Sequence, residues 1–193
     1  MFKFKNITKE ERAKKVVKAQ RLMEFLESKD MKVFINFGSL LGAIRENGLI
    51  LEDNDIDICY ISKFNKKEEV FRECQELKHK CREWGMLKAF FSSTKHSADE
   101  EADCYGQFHL WFEGLGVDLF TQWIDEEGNY WMHQWGNLGK IEIEPFREVL
   151  FEGVGVKVPK ESEKILEALY GQDWKTPKAE KIRKYRERGI YLL

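Results

Sequence analysis

The sequence contains no apolar run that approaches the length of a membrane-spanning helix. Its N-terminus, MFKFKNITKEERAKK, also lacks the apolar core of a secretory signal peptide. We therefore expect a cytoplasmic protein with no membrane span, and a peripheral membrane contact stays open. In that compartment the four cysteines are expected to be reduced.

Neither sign of charge is in clear excess, because 32 basic residues stand against 34 acidic ones and the formal net charge is −2. Proteins that bind nucleic acid usually carry a basic surface, so we expect no nucleic acid partner. The one basic cluster, KAEKIRKYRERG at 178–189, favours a solvated helix face over a docking patch for a membrane or a polyanion.

No internal repeat, low-complexity linker or change in composition divides the chain. We therefore predict a single domain over residues 1–193. The hydrophobic periodicity predicts an α+β fold, in which helices and strands first alternate and several strands then follow. Thr8 and Glu11 fit a capping box at the start of the first helix. The main predicted elements are helix 9–28, strand 32–37, helix 39–47, strand 55–61, helix 65–85, strands 86–93, 106–112, 117–124 and 129–135, hairpin 148–158, helix 160–170 and a basic helix after Pro177.

Two aspartates stand two residues apart in the stretch NFGSLLGAIRENGLILEDNDIDICY, residues 36–60. Side chains alternate along a strand, so Asp55 and Asp57 project to the same face. Neighbouring carboxylates repel each other and resist desolvation, and a hard cation such as Mg²⁺ removes that cost. Asp118 lies in another apolar strand, where a buried carboxylate needs partners. Placed beside the first pair, it would complete a three-carboxylate site for two metal ions.

Gly38 and Ser39 lie where the first predicted strand gives way to a helix. Amides at a helix N-terminus bind anions, and a glycine lets a phosphate come close to the backbone. The Ser39 hydroxyl would add a donor, and the Arg45 guanidinium can bind a phosphate oxygen. An anion pocket opposite a carboxylate metal site is typical of phosphoryl transfer. Either motif alone is more often a turn or a solvated strand face, and their order and spacing strengthen the functional interpretation.

Two segments together resemble the LicD family, which includes fukutin and the fukutin-related protein and belongs to the polymerase-β-like nucleotidyltransferase superfamily. Residues 38–58, GSLLGAIRENGLILEDNDIDI, are similar to a family run of the form G-T/S-L-L-G-A-x-R-x-x-x-x-I-P-W-D-D-D-I-D. Residues 146–174, FREVLFEGVGVKVPKESEKILEALYGQDW, are similar to the family's ending, and the resemblance spans residues 34 to about 177. The departures concern the substrate rather than the chemistry: Leu51 and Glu52 replace the family's Pro-Trp, and Asn54 replaces the middle Asp.

The resemblance implies a nucleotidyltransferase-like mixed β-sheet flanked by helices, with added β-hairpins and C-terminal helices. It implies a catalytic core at about 31–125 and a C-terminal family block at about 146–177. The implied reaction moves a phosphoryl-alcohol group, phosphocholine-like or alditol phosphate, from a CDP-linked donor to a hydroxyl of a glycan or lipid-linked sugar, and CMP leaves. Two Mg²⁺ ions, replaceable by Mn²⁺, would be held by the predicted catalytic residues Asp55, Asp57 and Asp118, the last also serving as a base. The donor phosphates would be held by Gly38, Ser39 and Arg45.

Two other functions stay open at this point. One is a nucleotidyltransferase that moves a nucleoside monophosphate from a nucleoside triphosphate to a small molecule, sugar or protein. It would use the same carboxylates but release pyrophosphate instead of CMP. The other is a catalytically silent binding module, whose function would survive replacement of Asp55 and Asp57 by asparagine.

Cysteine and tryptophan give weaker candidates for a ligand site. Cys74 and Cys81 lie on one apolar helix stripe without a C-x-x-C motif, which favours core packing over a zinc site completed by Cys104. Core packing or cross-strand pairing is likewise favoured for the tryptophans of the middle strands, although they could form an aromatic cage for a quaternary ammonium group. These are Trp111, Trp123, Trp131 and Trp135.

Overall fold

The computed structural model describes residues 3–91, 107–132 and 136–177. The predicted polar loop 94–104 and the predicted basic helix after Pro177 lie outside these residues. The described chain contains a short 3-10 helix at Phe4–Asn6, four α-helices and nine β-strands. The helices are α1 Lys9–Glu27, α2 Phe37–Glu46, α3 Lys67–Glu83 and α4 Ser162–Tyr170. The strands are β1 Lys32–Ile35, β2 Ile56–Ile61, β3 Leu87–Phe91, β4 Gln107–Phe112, β5 Leu115–Ile124, β6 Tyr130–Met132, β7 Gly136–Asn137, β8 Arg147–Phe151 and β9 Val154–Val158.

The main sheet has the strand order β1-β2-β5-β4-β3. In addition, β6 pairs with the last residues of β5, 122–124, and β7 pairs with β6. β2 and β5 run parallel, whereas the other pairs of this sheet are antiparallel. A parallel pair needs a long crossover, and here α3, β3 and β4 lie between the two strands in sequence. This mixed sheet with its helices confirms the predicted α+β class.

Local sequence determines the start of α1. The Thr8 hydroxyl accepts a hydrogen bond from the Glu11 backbone amide at 3.2 Å, and the Glu11 carboxylate accepts one from the Thr8 amide at 2.8 Å. The predicted capping box is therefore confirmed. One face of the helix enters the core through Val16, Leu22 and Leu26, none of which is measurably exposed.

A second, two-stranded sheet formed by β8 and β9 packs against the first part of the chain. β9 contacts β1 and α1, while β8 and α4 contact α2. α4 buries Ile165, Leu166 and Leu169 and ends at Gly171, whose φ of +87° suits a residue without Cβ. The C-terminal block is thus packed around α2.

The alternating segment KIEIE, residues 140–144, is not a strand in the structure. Ile141 and Ile143 are buried, whereas Glu142 and Glu144 are exposed. The Ile143 carbonyl accepts a hydrogen bond from the Lys160 amide at 2.9 Å. The backbone of this segment therefore pairs with the residues just before α4 and not with a strand.

The cysteines of α3 pack in the core. Cys74 and Cys81 are fully buried within the apolar cluster, as is Cys59 of β2, and all three are free thiols. The predicted core packing of Cys74 and Cys81 is confirmed, whereas Cys104 lies outside the described residues. No helix in the described part of the chain is long and apolar enough to cross a membrane, and the cytoplasmic location stays a prediction.

Candidate metal centre

Three carboxylates converge where β2 and β5 run side by side. Their register sets Asp57 directly opposite Asp118, and Asp55 lies one residue before β2 begins. One oxygen from each carboxylate can be chosen so that all three lie within 4.8 Å of one another. Hard oxygen donors at this spacing fit a divalent cation such as Mg²⁺. The structure thus brings together the three aspartates that the sequence analysis selected, while their roles stay predictions.

The electrostatics of the cluster favour a bound cation. Burial, with repulsion from Asp118 and Asp53, raises the pKa of Asp55 to about 6. Burial also raises the pKa of Asp57 well above its ordinary value, and the three neighbouring carboxylates add to the rise. Both shifts have desolvation and repulsion as their cause, and a bound metal ion would offset both. Asp53 was not selected by the sequence analysis, and it acts here as a fourth nearby acidic group.

Gly38 and Ser39 hold Asp57 in place. The Gly38 amide donates a hydrogen bond to Asp57 Oδ2 at 3.1 Å, and the Ser39 hydroxyl accepts one from the Asp57 amide at 2.9 Å. A Cβ at position 38 would lie 2.9 Å from Asp53 Oδ2, so any larger residue there would displace the Asp53 carboxylate. The helix N-terminus therefore faces an anion, as expected, but the anion is a side chain of the protein. The predicted contact of Gly38 and Ser39 with donor phosphates stays a prediction.

Arg45 lies at the other end of α2 from the carboxylates. Seven residues separate it from Gly38, which is about 10 Å along the helix axis. Its guanidinium binds the neighbouring Glu46 and donates to the Trp174 carbonyl at 3.3 Å. Within the described residues these contacts tie α2 to the C-terminal block, and the predicted phosphate role of Arg45 stays a prediction.

Two polar side chains that no sequence motif indicated hold Asp118. Gln107 and His109 lie on β4, and the register places His109 opposite Asp118. His109 Nδ1 lies 2.8 Å from Asp118 Oδ1, and Gln107 Nε2 donates to Asp118 Oδ2 at 2.6 Å. A carboxylate only accepts, so His109 donates through Nδ1–H. Their alternation with buried Phe108 and Leu110 could have placed them on one face, but only the pairing of β4 with β5 shows which residue they contact.

A buried polar network lies next to the start of α2. The Asn36 side-chain amide donates to the Tyr130 hydroxyl at 3.3 Å and to Gln122 Oε1 at 3.4 Å. Tyr130 also donates to Gln122, whose amide donates to Cys59 Sγ at 2.7 Å. Asn36 Oδ1 in turn caps α2 by accepting from the Phe37 amide at 2.8 Å. As a result α2 begins at Phe37, two residues earlier than predicted.

The tryptophans do not form a cage in the described residues. Trp123 and Trp131 pair across β5 and β6 and stack with ring centroids 5.5 Å apart, and Trp131 donates to Asp125 at 2.7 Å. This agrees with the cross-strand pairing that the sequence favoured. Trp111 remains 47% exposed on β4, and Trp135 lies outside the described residues.

The fold and the site together define an α+β protein whose parallel strand pair carries a carboxylate cluster suited to a divalent cation. Residues 30–161, roughly two thirds of the chain, match the family model described as LicD/FKTN/FKRP, nucleotidyltransferase domain. The chain belongs to this family, and the resemblance found from the sequence is confirmed. A comparison with the curated proteins gave no match.

Proposed function

We propose that the protein is a Mg²⁺-dependent phosphotransferase that moves a phosphoryl-alcohol group from a CDP-linked donor to a glycan hydroxyl. The group transferred would be phosphocholine-like or an alditol phosphate. The acceptor oxygen forms a new bond to the phosphorus distal to the cytidine while its proton passes to Asp118 as base. The bond from that phosphorus to CMP breaks, and CMP leaves. Family membership supports transferase chemistry, and the finer statement about donor and acceptor is our inference.

The convergence of Asp118 with Asp55 and Asp57 is the observation that carries this proposal. Asp118 is 61 residues from Asp57 in sequence, yet the two are directly paired across β2 and β5. A strand face that served only as a solvated surface would not need an acidic residue at this buried position, where Asp118 is 8% exposed. Three convergent carboxylates with raised pKa values at two of them support a cation-binding site.

The residues around the cluster have distinct tasks in this proposal. A divalent cation, when bound, neutralises charge on the donor phosphates and on the departing CMP. Asp55, Asp57 and Asp118 would hold it. Gly38 and Ser39 fix the backbone and carboxylate of Asp57, and His109 and Gln107 fix the carboxylate of Asp118. A fixed donor set lowers the reorganisation that the reaction needs.

A thermal-shift screen tests the proposal directly. The ligands are CDP-choline, CDP-ethanolamine, CDP-glycerol, CDP-ribitol and nucleoside triphosphates, each with and without Mg²⁺. We expect a metal-dependent rise in melting temperature with at least one CDP-linked compound, because a ligand that binds only the folded state stabilises it. A shift with triphosphates alone would refute the CDP donor.

A nucleotidyltransferase that uses a nucleoside triphosphate is the second candidate, and the description of the matched family as a nucleotidyltransferase domain favours it. The two reactions differ in the product that leaves. Release of CMP from a CDP-linked donor supports the phosphotransferase, whereas release of pyrophosphate from a triphosphate supports the second candidate.

A further inference from the structure

The first residues of the chain contact the loop that carries Asp53 and Asp55. We call residues Lys3–Arg12 the N-terminal segment and residues 47–55, between α2 and β2, the acidic loop. The N-terminal segment precedes the family match, which begins at residue 30. Its contacts with the acidic loop are therefore a feature of this chain that the matched domain does not include.

Backbone hydrogen bonds join the N-terminal segment to the middle of the acidic loop. The Phe4 amide donates to the Asp53 carbonyl at 2.9 Å, and the Lys5 amide donates to the Leu51 carbonyl at 2.8 Å. The Phe4 side chain is 1% exposed and packs in the core, so it fixes the N-terminal segment to the rest of the protein. The held Asp53 carbonyl is only two residues from Asp55.

A partly buried ion pair joins the N-terminal segment to Glu152, which in turn binds the start of the acidic loop. Arg12 Nε donates to Glu152 Oε1 at 2.9 Å, and Arg12 also donates to the Ile7 carbonyl at 3.2 Å. The same Glu152 oxygen accepts from the Leu49 amide at 3.0 Å, and the Glu152 amide donates to the Asn47 carbonyl at 3.1 Å. The Glu152 side chain is 5% exposed and the Arg12 side chain is 17% exposed, so this pair is largely but not fully shielded from solvent.

The acidic loop is thus held at two places by residues other than the three clustered aspartates, Asp55, Asp57 and Asp118. Repulsion between neighbouring carboxylates would push Asp55 away from Asp57 and Asp118 unless the loop were restrained. Metal affinity depends on how well the ligands are held before the ion arrives. We propose that Phe4 and Arg12 are positioning residues that preorganise Asp55 for the cation. This inference rests on the proposed function.

Direct binding of Mn²⁺, measured by electron paramagnetic resonance, tests the inference without a substrate. We expect Arg12→Ala and Phe4→Ala to weaken Mn²⁺ binding by about tenfold, the scale seen when the support of a metal ligand is removed. Arg12→Lys keeps the charge and should recover part of the affinity. The matched control is Arg21→Ala, because Arg21 lies on the same helix and pairs with Glu113 at 2.8 Å. Its affinity should equal that of the wild type.

A second readout separates positioning from general stability. Melting temperatures show whether each variant is folded, and Phe4→Leu replaces Phe4→Ala if the latter is not. For a positioning role, the kcat lost in the variants returns when the metal concentration is raised above the weakened Kd.

Two outcomes overturn the inference, and they are distinguishable. If the wild type shows no saturable Mn²⁺ binding, the proposed function fails and the inference fails with it. If the wild type binds Mn²⁺ and the folded Arg12→Ala and Phe4→Leu variants bind it equally well, the inference alone fails. In that case the N-terminal segment contributes to stability only.

Discussion

The two segments that resemble the LicD family, residues 38–58 and 146–174, differ in how they place charge. In the first, Asp55 and Asp57 lie close to another carboxylate, and their pKa values are raised. In the second, Glu152 pairs with Arg12 and Arg147 pairs with Glu163. The first segment therefore gathers like charges at a cost in stability, while the second neutralises its charges and contributes packing.

This difference distinguishes residues that we expect to bind a ligand from residues that stabilise the fold. Groups that repel one another are retained in a folded protein when a ligand makes use of them. Groups that are paired or packed stabilise the fold whether or not a ligand is present. We therefore expect substitutions in the first segment to reduce activity more than stability, and substitutions in the second to do the reverse.

The largest effect is expected at the three clustered aspartates, Asp55, Asp57 and Asp118. Asp57→Asn and Asp118→Asn should each lower CMP release by roughly a thousandfold, about 4 kcal/mol of transition-state stabilisation. Asp57→Asn should also raise the melting temperature of the metal-free protein, because it relieves repulsion and desolvation of a buried carboxyl group. Both quantities are measured on the same purified variants, the second by differential scanning fluorimetry. Asp125→Asn is the control, since Asp125 contacts Asn129 and Trp131. Unaltered function in the cell after the double substitution Asp55→Asn, Asp57→Asn would favour a catalytically silent binding module.

A core substitution in the second segment should have the opposite profile. Ile165 of α4 is completely buried, so Ile165→Ala should lower the free energy of unfolding by about 2–5 kcal/mol. The specific activity of the folded fraction should stay at the wild-type level. Urea denaturation and an assay at low temperature give the two numbers. Leu150 is 61% exposed in the same segment, and Leu150→Ala should change the unfolding free energy by less than about 0.5 kcal/mol. A loss of activity in folded Ile165→Ala protein would contradict the separation.

The support of Asp118 should have an intermediate effect. His109→Ala removes the donor to Asp118 Oδ1 and should lower metal affinity or activity about 10- to 100-fold. We expect kcat to fall while KM for the donor stays nearly constant, because His109 acts through Asp118. Steady-state kinetics at fixed Mg²⁺ measure both. His79→Ala serves as the control, since His79 is exposed on α3. Equal kinetics in the two variants would remove His109 from the site.

The stability of the metal-free protein should fall as pH rises from about 4 to 6. The pKa of Asp55 is raised from an ordinary 3.8 to about 6, so in this window the folded state keeps a proton that the unfolded chain has already lost. The unfolding free energy therefore decreases with pH up to about 6, and this group causes no further change above it. We expect a contribution of about 1–2 kcal/mol, because Asp55 keeps some solvent contact.

Added Mg²⁺ should change this pH dependence in a defined direction. Metal and proton compete for the same carboxylates, so the rise in melting temperature caused by Mg²⁺ should be small at pH 5 and larger at pH 7. Melting curves across this range, with and without Mg²⁺, make the test. A metal effect that does not change with pH would place the ion away from Asp55.

The smallest effect is expected at Arg147. Its guanidinium is 40% exposed and pairs with Glu163 at 2.9 Å, so Arg147→Ala should lower the unfolding free energy by less than about 1 kcal/mol. Activity should be unchanged, since the pair joins β8 to α4 within the second segment. A strong loss of activity would show that Arg147 contacts a substrate and would break the contrast between the two segments.

Local features of the fold were predictable because their partners are near in sequence. The capping box joins Thr8 and Glu11, which are three positions apart, and Gly171 ends α4 by its own backbone freedom. The predicted start of α2 is two residues too late because its cap, Asn36, is held by Gln122 and Tyr130, which lie far along the chain. Such a contact has no short-range pattern in the sequence.

The sequence by itself determined the α+β class, the order of the main helices and strands, and the placement of Asp55 and Asp57 on one face, since these follow from periodicity and strand alternation. Only the tertiary structure decided that β2 and β5 pair in parallel with Asp57 opposite Asp118. It also decided that Gln107 and His109 hold Asp118, and that Arg45 binds the Trp174 carbonyl. The physical reason is that strand pairing and buried charge contacts join residues far apart in the chain, and the competition among such pairings is settled when the whole core packs.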